Sequence, residues 1–138
     1  MNNFLDSNVW LALLWERHVH SQRAGAWFRE HVEEGFSYCR TVQISVLRLL
    51  TTASVMHDDV KTLAQAWSVW DNVTRHSKIR FIAEPENIEA QFRFRSQLTI
   101  VAPKMWSDLY LLAFASELDL RLVTLDRALA GRGNVLVL

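Results

Sequence analysis

RLVTLD, residues 121–126, is a short apolar run that stops abruptly at an acid, Asp126. NFLD, residues 3–6, does the same at Asp6. Runs this short, carrying Phe, Leu and Val, read as buried strands, with each carboxylate just past the strand's C-terminal end. If the two strands are parallel neighbours, both acids point into the crevice where open α/β sheets bind their ligands. A third acid, Asp108, falls in MWSDLYLLAFASEL, residues 105–118, where Ser107 is placed to cap a helix and Asp108 to occupy its first turn. Three acids at about 6 Å from one another repel by roughly 2–3 kcal/mol per pair at an effective dielectric near 20. Such a cluster asks for protonation or a divalent counterion.

The remaining pattern supplies the other layers. Asn3–Leu5 predicts the first strand, with Ser7 or Asn8 capping an apolar helix from Val9. HVHS, residues 18–21, interrupts it, and a second helix runs to about Glu34, stopped by Gly35. Strands are expected over residues 36–40, 79–83, 122–125 and 135–138, and helices over 41–56, 58–76, 84–98 and 105–118, the third opened by Glu84-Pro85. Strands alternating with helices, without hairpin signals, predict a three-layer α/β/α fold around a mostly parallel sheet of four to five strands. No linker or repeat divides the chain, so residues 1–138 are expected to form a single domain.

The totals agree. Half of the 138 residues are hydrophobic, and four Gly and two Pro leave no room for low complexity. Fifteen basic and 15 acidic residues cancel, which argues against a chain coated in positive charge for non-specific nucleic-acid binding but leaves a local basic patch open. A single cysteine, Cys39, excludes an intramolecular disulfide framework and fits a reducing cytoplasm. No stretch approaches a membrane span, and the start lacks the basic region of a signal peptide. There is no G-x-x-x-x-G-K, no G-x-G-x-x-G and no paired cysteine for zinc. A cytoplasmic location is therefore expected.

LDSNVWLALLW near the start, TVQISVLRLLT, WSDLYLLAFA and the LVTLD strand end occur in an order and spacing that resembles PIN-domain proteins over essentially the whole chain. More narrowly, the chain is similar to the VapC-type toxins of bacterial toxin–antitoxin pairs. The resemblance implies that Asp6, Asp108 and Asp126 are catalytic, metal-binding acids holding Mg²⁺ or Mn²⁺ for phosphodiester hydrolysis. Taken singly, each has an ordinary alternative as a turn, cap or first-turn residue. A fourth family acid, a Glu, aligns with Gln43, whose side chain offers a carbonyl oxygen but no charge. Weaker ion affinity, or a single ion, follows as an expectation. Another familiar acidic position reads Ala128.

Supporting roles are expected for four residues. Gln43 stands at the missing acid. Asn8 either hydrogen-bonds the site or caps the first helix. Thr124, two residues before Asp126, shares its strand face, so its hydroxyl either reaches the carboxylates or satisfies the sheet. Arg48 either grips phosphate or is an ordinary paired arginine. His18 and His20, at i, i+2, do not share a helix face and read as loop residues rather than catalysts. Lys104 is either a phosphate-attracting residue or a surface lysine.

The resemblance implies a metal-dependent endoribonuclease acting as a toxin, an RNA substrate, a cognate antitoxin and a homodimer. Trp10, Trp15, Trp27 and Phe28 of the early helices are the candidate partner contacts. Two other readings stand beside it. A catalytically inactive PIN-like binding module is favoured only by Gln43, and a flap-type DNA nuclease fits poorly with neutral charge and small size.

Overall fold

The computed structural model describes residues 2–138. Five strands form one sheet: β1 (Asn3–Leu5), β2 (Phe36–Tyr38), β3 (Ile79–Phe81), β4 (Arg121–Thr124) and β5 (Val135–Val137), in the order β3-β2-β1-β4-β5. Every pairing is parallel, with Phe4 opposite Ser37 on one side and Leu122 on the other. The α/β architecture and parallel sheet expected from the sequence are those of the structure. The chain leaves β1 toward β2 and β3, then returns to build β4 and β5 on the opposite side. The junction of β1 and β4 is therefore the switch point of the sheet, where a crevice opens beyond the strand ends.

Among the described residues, seven α-helices cover the sheet: α1 (Ser7–Leu14), α2 (Ser21–Glu30), α3 (Arg40–Leu50), α4 (Ala53–Met56), α5 (Leu63–Thr74), α6 (Ile88–Arg95) and α7 (Trp106–Glu117). Helix α1 packs on α2, α3 and α5, and α6 packs on α7. All three residues of β1 are buried, as a central parallel strand covered on both faces requires. Phe4 stacks on Phe114 of α7 at 4.9 Å, and Trp10 meets Tyr38 and Trp70 edge-on at 6.1 and 5.5 Å.

Several boundaries differ from the expectations. Asp6, not Ser7 or Asn8, caps α1: its carboxylate accepts the Ser7 amide at 2.7 Å. The helix expected over 41–56 ends at Leu50, because the Thr51 and Thr52 hydroxyls donate to the carbonyls of Leu47 and Arg48 and draw the chain out of register. Helix α5 starts at Leu63 rather than near Asp58, since Thr62 and Gln65 form a reciprocal capping box there. Glu84-Pro85 leads a turn, and α6 begins only at Ile88. Ser107 does not cap α7, which grows directly out of a 3-10 turn at Pro103–Met105. Gly35 ends the second helical segment as expected, at φ +79° and ψ 160°, a conformation open essentially to glycine alone.

Two of the four proposed partner-contact aromatics are corrected. Trp10 and Trp27 are buried in the core, whereas Trp15 and Phe28 are partly buried, Phe28 stacking on Phe36 at 4.1 Å. Trp15 itself donates its indole N–H to Asp59 at 2.7 Å.

Phe4→Ala is expected to cost about 3–5 kcal/mol, the range for emptying a fully buried aromatic site. Val19→Ala, at a position 86% exposed, should stay within about 0.5 kcal/mol. Urea unfolding midpoints of both variants check the assignment of the core.

Candidate active site

The C-terminal ends of β1 and β4 lie side by side, and a hydroxyl joins them. Thr124, fully buried, donates from Oγ1 to Asp6 Oδ2 at 2.8 Å. The same oxygen accepts the side-chain amide of Asn8 at 3.3 Å and the backbone amide of Asp126 at 3.1 Å. A threonine hydroxyl offers one donor and two lone pairs, so Thr124 is fully used. Asn8 completes the knot by accepting the Leu125 amide on its Oδ1 at 3.1 Å. Thr124 thus reaches the Asp6 carboxylate, and Asn8 bonds Thr124 and the Leu125 amide rather than capping α1.

Asp6 is thus held at both oxygens: Oδ1 by the Ser7 amide and hydroxyl, Oδ2 by Thr124. Burial nevertheless raises its pKa above the ordinary aspartate value, against the lowering effect of those hydrogen bonds. Asp108, in the first turn of α7, is pushed up to about 6, mainly by burial and then by the negative charges of Asp6 and Asp126. A helix N-terminus ordinarily favours a carboxylate, so burial, with the like charges beside it, outweighs the dipole here. Asp126 accepts the Ala128 amide at 2.9 Å, which fixes the turn after β4.

Asp6 and Asp108 line one crevice with Ser7, Thr41, Val42 and Ser45 from one side and Phe92, Trp106, Ser107 and Tyr110 from the other, enclosing about 330 Å³. Trp106 and Tyr110 are an i, i+4 pair on α7, but their meeting with Phe92 of α6 is a tertiary contact that spacing along the chain does not reveal. Among the described residues, no three His, Cys, Asp or Glu side chains make a closed ligand set. The acids face one another at charge-interaction range instead. This donor set still fits Mg²⁺ or Mn²⁺: such ions keep several waters and take one or two carboxylates plus substrate phosphate, so no protein cage is needed.

The other candidates stand apart. Gln43 is buried in the first turn of α3, and its Oε1 accepts a hydrogen bond from Arg40, whose guanidinium lies 4.7 Å from the Phe81 ring centroid. Gln43 is not among the crevice-lining residues. Arg48 is exposed in the last turn of α3, with no ion-pair or side-chain hydrogen-bond partner among the described residues. His18 and His20 sit in the turn between α1 and α2, where His18 Nδ1 accepts the His20 amide at 3.0 Å. Lys104 is exposed in the 3-10 turn ahead of α7.

Thr124→Val removes a donor to Asp6 and strands two N–H groups. A loss of about 1–3 kcal/mol in urea unfolding is expected, with Thr124→Ser recovering most of it. Asp108 yields a pH-dependent prediction. Its pKa is higher folded than unfolded, so between pH about 4 and 6 the folded state binds more protons and loses stability as pH rises. In EDTA, Asp108→Asn should therefore melt above wild type at pH 7, and the gap should close toward pH 4.

The PIN domain model matches residues 4–133. Ribonuclease VapC41 of Mycobacterium tuberculosis is 36% identical over 135 residues, covering 94% of this chain and 92% of that protein. Ribonuclease VapC44 of the same organism is 33% identical over 136 residues, covering 94% and 89%. Among solved structures, VapBC2 from Rickettsia felis, bound to a DNA fragment from its promoter, has a TM-score of 0.74 at 13% identity and covers 100% of this chain and 98% of that one. The sarcin–ricin-loop-cleaving toxin VapC20 of M. tuberculosis has a TM-score of 0.65 at 13% identity and covers 95% of each chain. With a family model spanning nearly its whole length and relatives above 30% identity along it, this chain belongs to the PIN-domain family, in its VapC-like branch.

Proposed function

We propose that the protein is an endoribonuclease that hydrolyses RNA phosphodiesters with a divalent metal and acts as the toxin of a toxin–antitoxin pair. The observation that carries this reading is the meeting of Asp6 and Asp108 in one crevice, with Asp126 within range of both, at the switch point of a PIN-domain sheet. Mg²⁺ or Mn²⁺, when bound, neutralises phosphate charge and acidifies an attacking water.

The chain's own residues prepare for this. Thr124 and the Ser7 amide orient Asp6 so that its remaining lone pairs face the crevice. Asp108, held from water and pressed by two like charges, has the most to gain from a cation. Asp126 adds charge from the β4 side and orients a water. Gln43 contributes no charge, and the engagement of its oxygen by Arg40 supports a structural role for it beside the crevice. The inactive-module alternative rests on Gln43 alone, whereas the crowded acids would serve no purpose in a dead site.

Solved neighbours that are VapBC assemblies support a cognate antitoxin as partner. A homodimer and a cytoplasmic location belong to the same proposal; no helix among the described residues is long and apolar enough to cross a membrane.

The test is incubation of the purified chain with total cellular RNA in Mg²⁺, Mn²⁺ or EDTA. Discrete fragments that need metal, and that fall by about 100-fold or more in Asp6→Ala, are expected. A folded protein that cuts no RNA in any metal would transfer the assignment to the binding module.

A further inference from the structure

Hydrolysis at the carboxylates uses only one end of the crevice. The other end is aromatic: Phe92, Trp106 and Tyr110 line it. Phe92 meets Trp106 edge-on at 5.9 Å and Tyr110 at 5.7 Å, and the Tyr110 hydroxyl donates to Glu84 at 2.8 Å. The rings are thus braced. Trp106 is nonetheless 56% exposed, and it borders both this crevice and a neighbouring apolar cavity lined by Leu98, Ile100 and Val101.

Trp106, Ser107 and Asp108 are consecutive in α7, yet all three line the crevice. Consecutive residues point in different directions around a helix, so the crevice must lie across the start of α7 rather than along its flank. The Cα atoms of Trp106 and Asp108 are then about 5.4 Å apart. A phosphate held near Asp108 places the nucleotide beside it within reach of the indole. Ser45 and Ser107 line the same cavity, and their hydroxyls make no hydrogen bond among the described residues. At about 330 Å³ the space is at the small end for ligand sites, suited to one flat ring and too small for a partner helix.

We propose that Trp106 is a stacking platform for one unpaired base of the RNA next to the scissile phosphate, with Ser45 and Ser107 addressing the edge of that base. This rests on the ribonuclease reading above. Stacking on Trp106 requires that base to lie out of the helical stack, in a loop, bulge or single strand. An A-form duplex hides the faces of its bases.

The test uses a short RNA mapped from the fragments of total RNA, made both single-stranded and annealed to its complement. Trp106→Ala should raise KM roughly 5- to 100-fold with kcat within about twofold, and Trp106→Phe should stay within about threefold of wild type. The dependence of binding on salt should keep its slope in Trp106→Ala, because losing a stacked base releases no counterion. In EDTA, wild type should quench a 2-aminopurine placed beside the cleavage site, Trp106→Ala should not, and the annealed RNA should be a poor substrate. Trp106→Leu keeps apolar bulk without a π face and carries the test if the alanine variant fails to fold. Wild-type KM and quenching in both Trp106→Ala and Trp106→Leu would overturn the platform while leaving the nuclease intact. So would a defect confined to dimerisation or antitoxin binding. Absence of any RNA cleavage by wild type would sink both readings.

Discussion

The bond from Thr124 to Asp6 spans 118 residues of sequence and is the constraint on which the site depends. It ties the ends of the two strands that flank the switch point. It also fixes the carboxylate by geometry rather than by charge. Because the Thr124 oxygen also receives Asn8 and the Asp126 amide, the first helix, the first strand and the turn after the fourth strand share one atom. Any displacement of β4 against β1 is felt at the acid. For the proposed hydrolysis such rigidity is an asset, since reacting groups must be held at near-attack distances before chemistry begins.

Electrostatics opposes this arrangement. Asp6 is buried and Asp108 half-buried, and both resist ionisation in the isolated chain. The fold tolerates the conflict because hydrogen bonds satisfy Asp6 and because Asp108 keeps contact with solvent through the crevice. Core packing elsewhere carries the stability: Phe4 of the central strand stacks on Phe114, and Trp10 packs among Tyr38 and Trp70. The site is thus a destabilised patch on a well-packed frame.

The sheet was legible because its strands are short, rich in apolar and aromatic residues and sharply ended, and two of those ends are acids. Asp6 and Asp126 could be placed from pattern alone, and Thr124 from a period of two. Helix limits were less legible, since Thr51, Thr52 and the Thr62–Gln65 box act through side-chain bonds to the backbone that hydrophobic spacing does not register. The early tryptophans could not be sorted by sequence either: an apolar helix face buries Trp10 and Trp27 whether a partner or the sheet covers it. Gln43 was legible as a departure from the family pattern. Its engagement with Arg40, three residues earlier, depends on rotamers. The aromatic wall is a tertiary property, assembled from α6 and α7.

The order of the site residues along the chain has a consequence for synthesis. Asp6 emerges first, but Asp108, Thr124 and Asp126 all lie in the final quarter of the sequence. A nascent chain lacking that quarter has neither the hydroxyl that orients Asp6 nor the charges that complete the crevice. Contacts of such long sequence separation close late in folding. The crevice therefore assembles only once residues 108–126 have packed against β1 and α1, so its shape reports on the closure of the whole sheet rather than on any local segment.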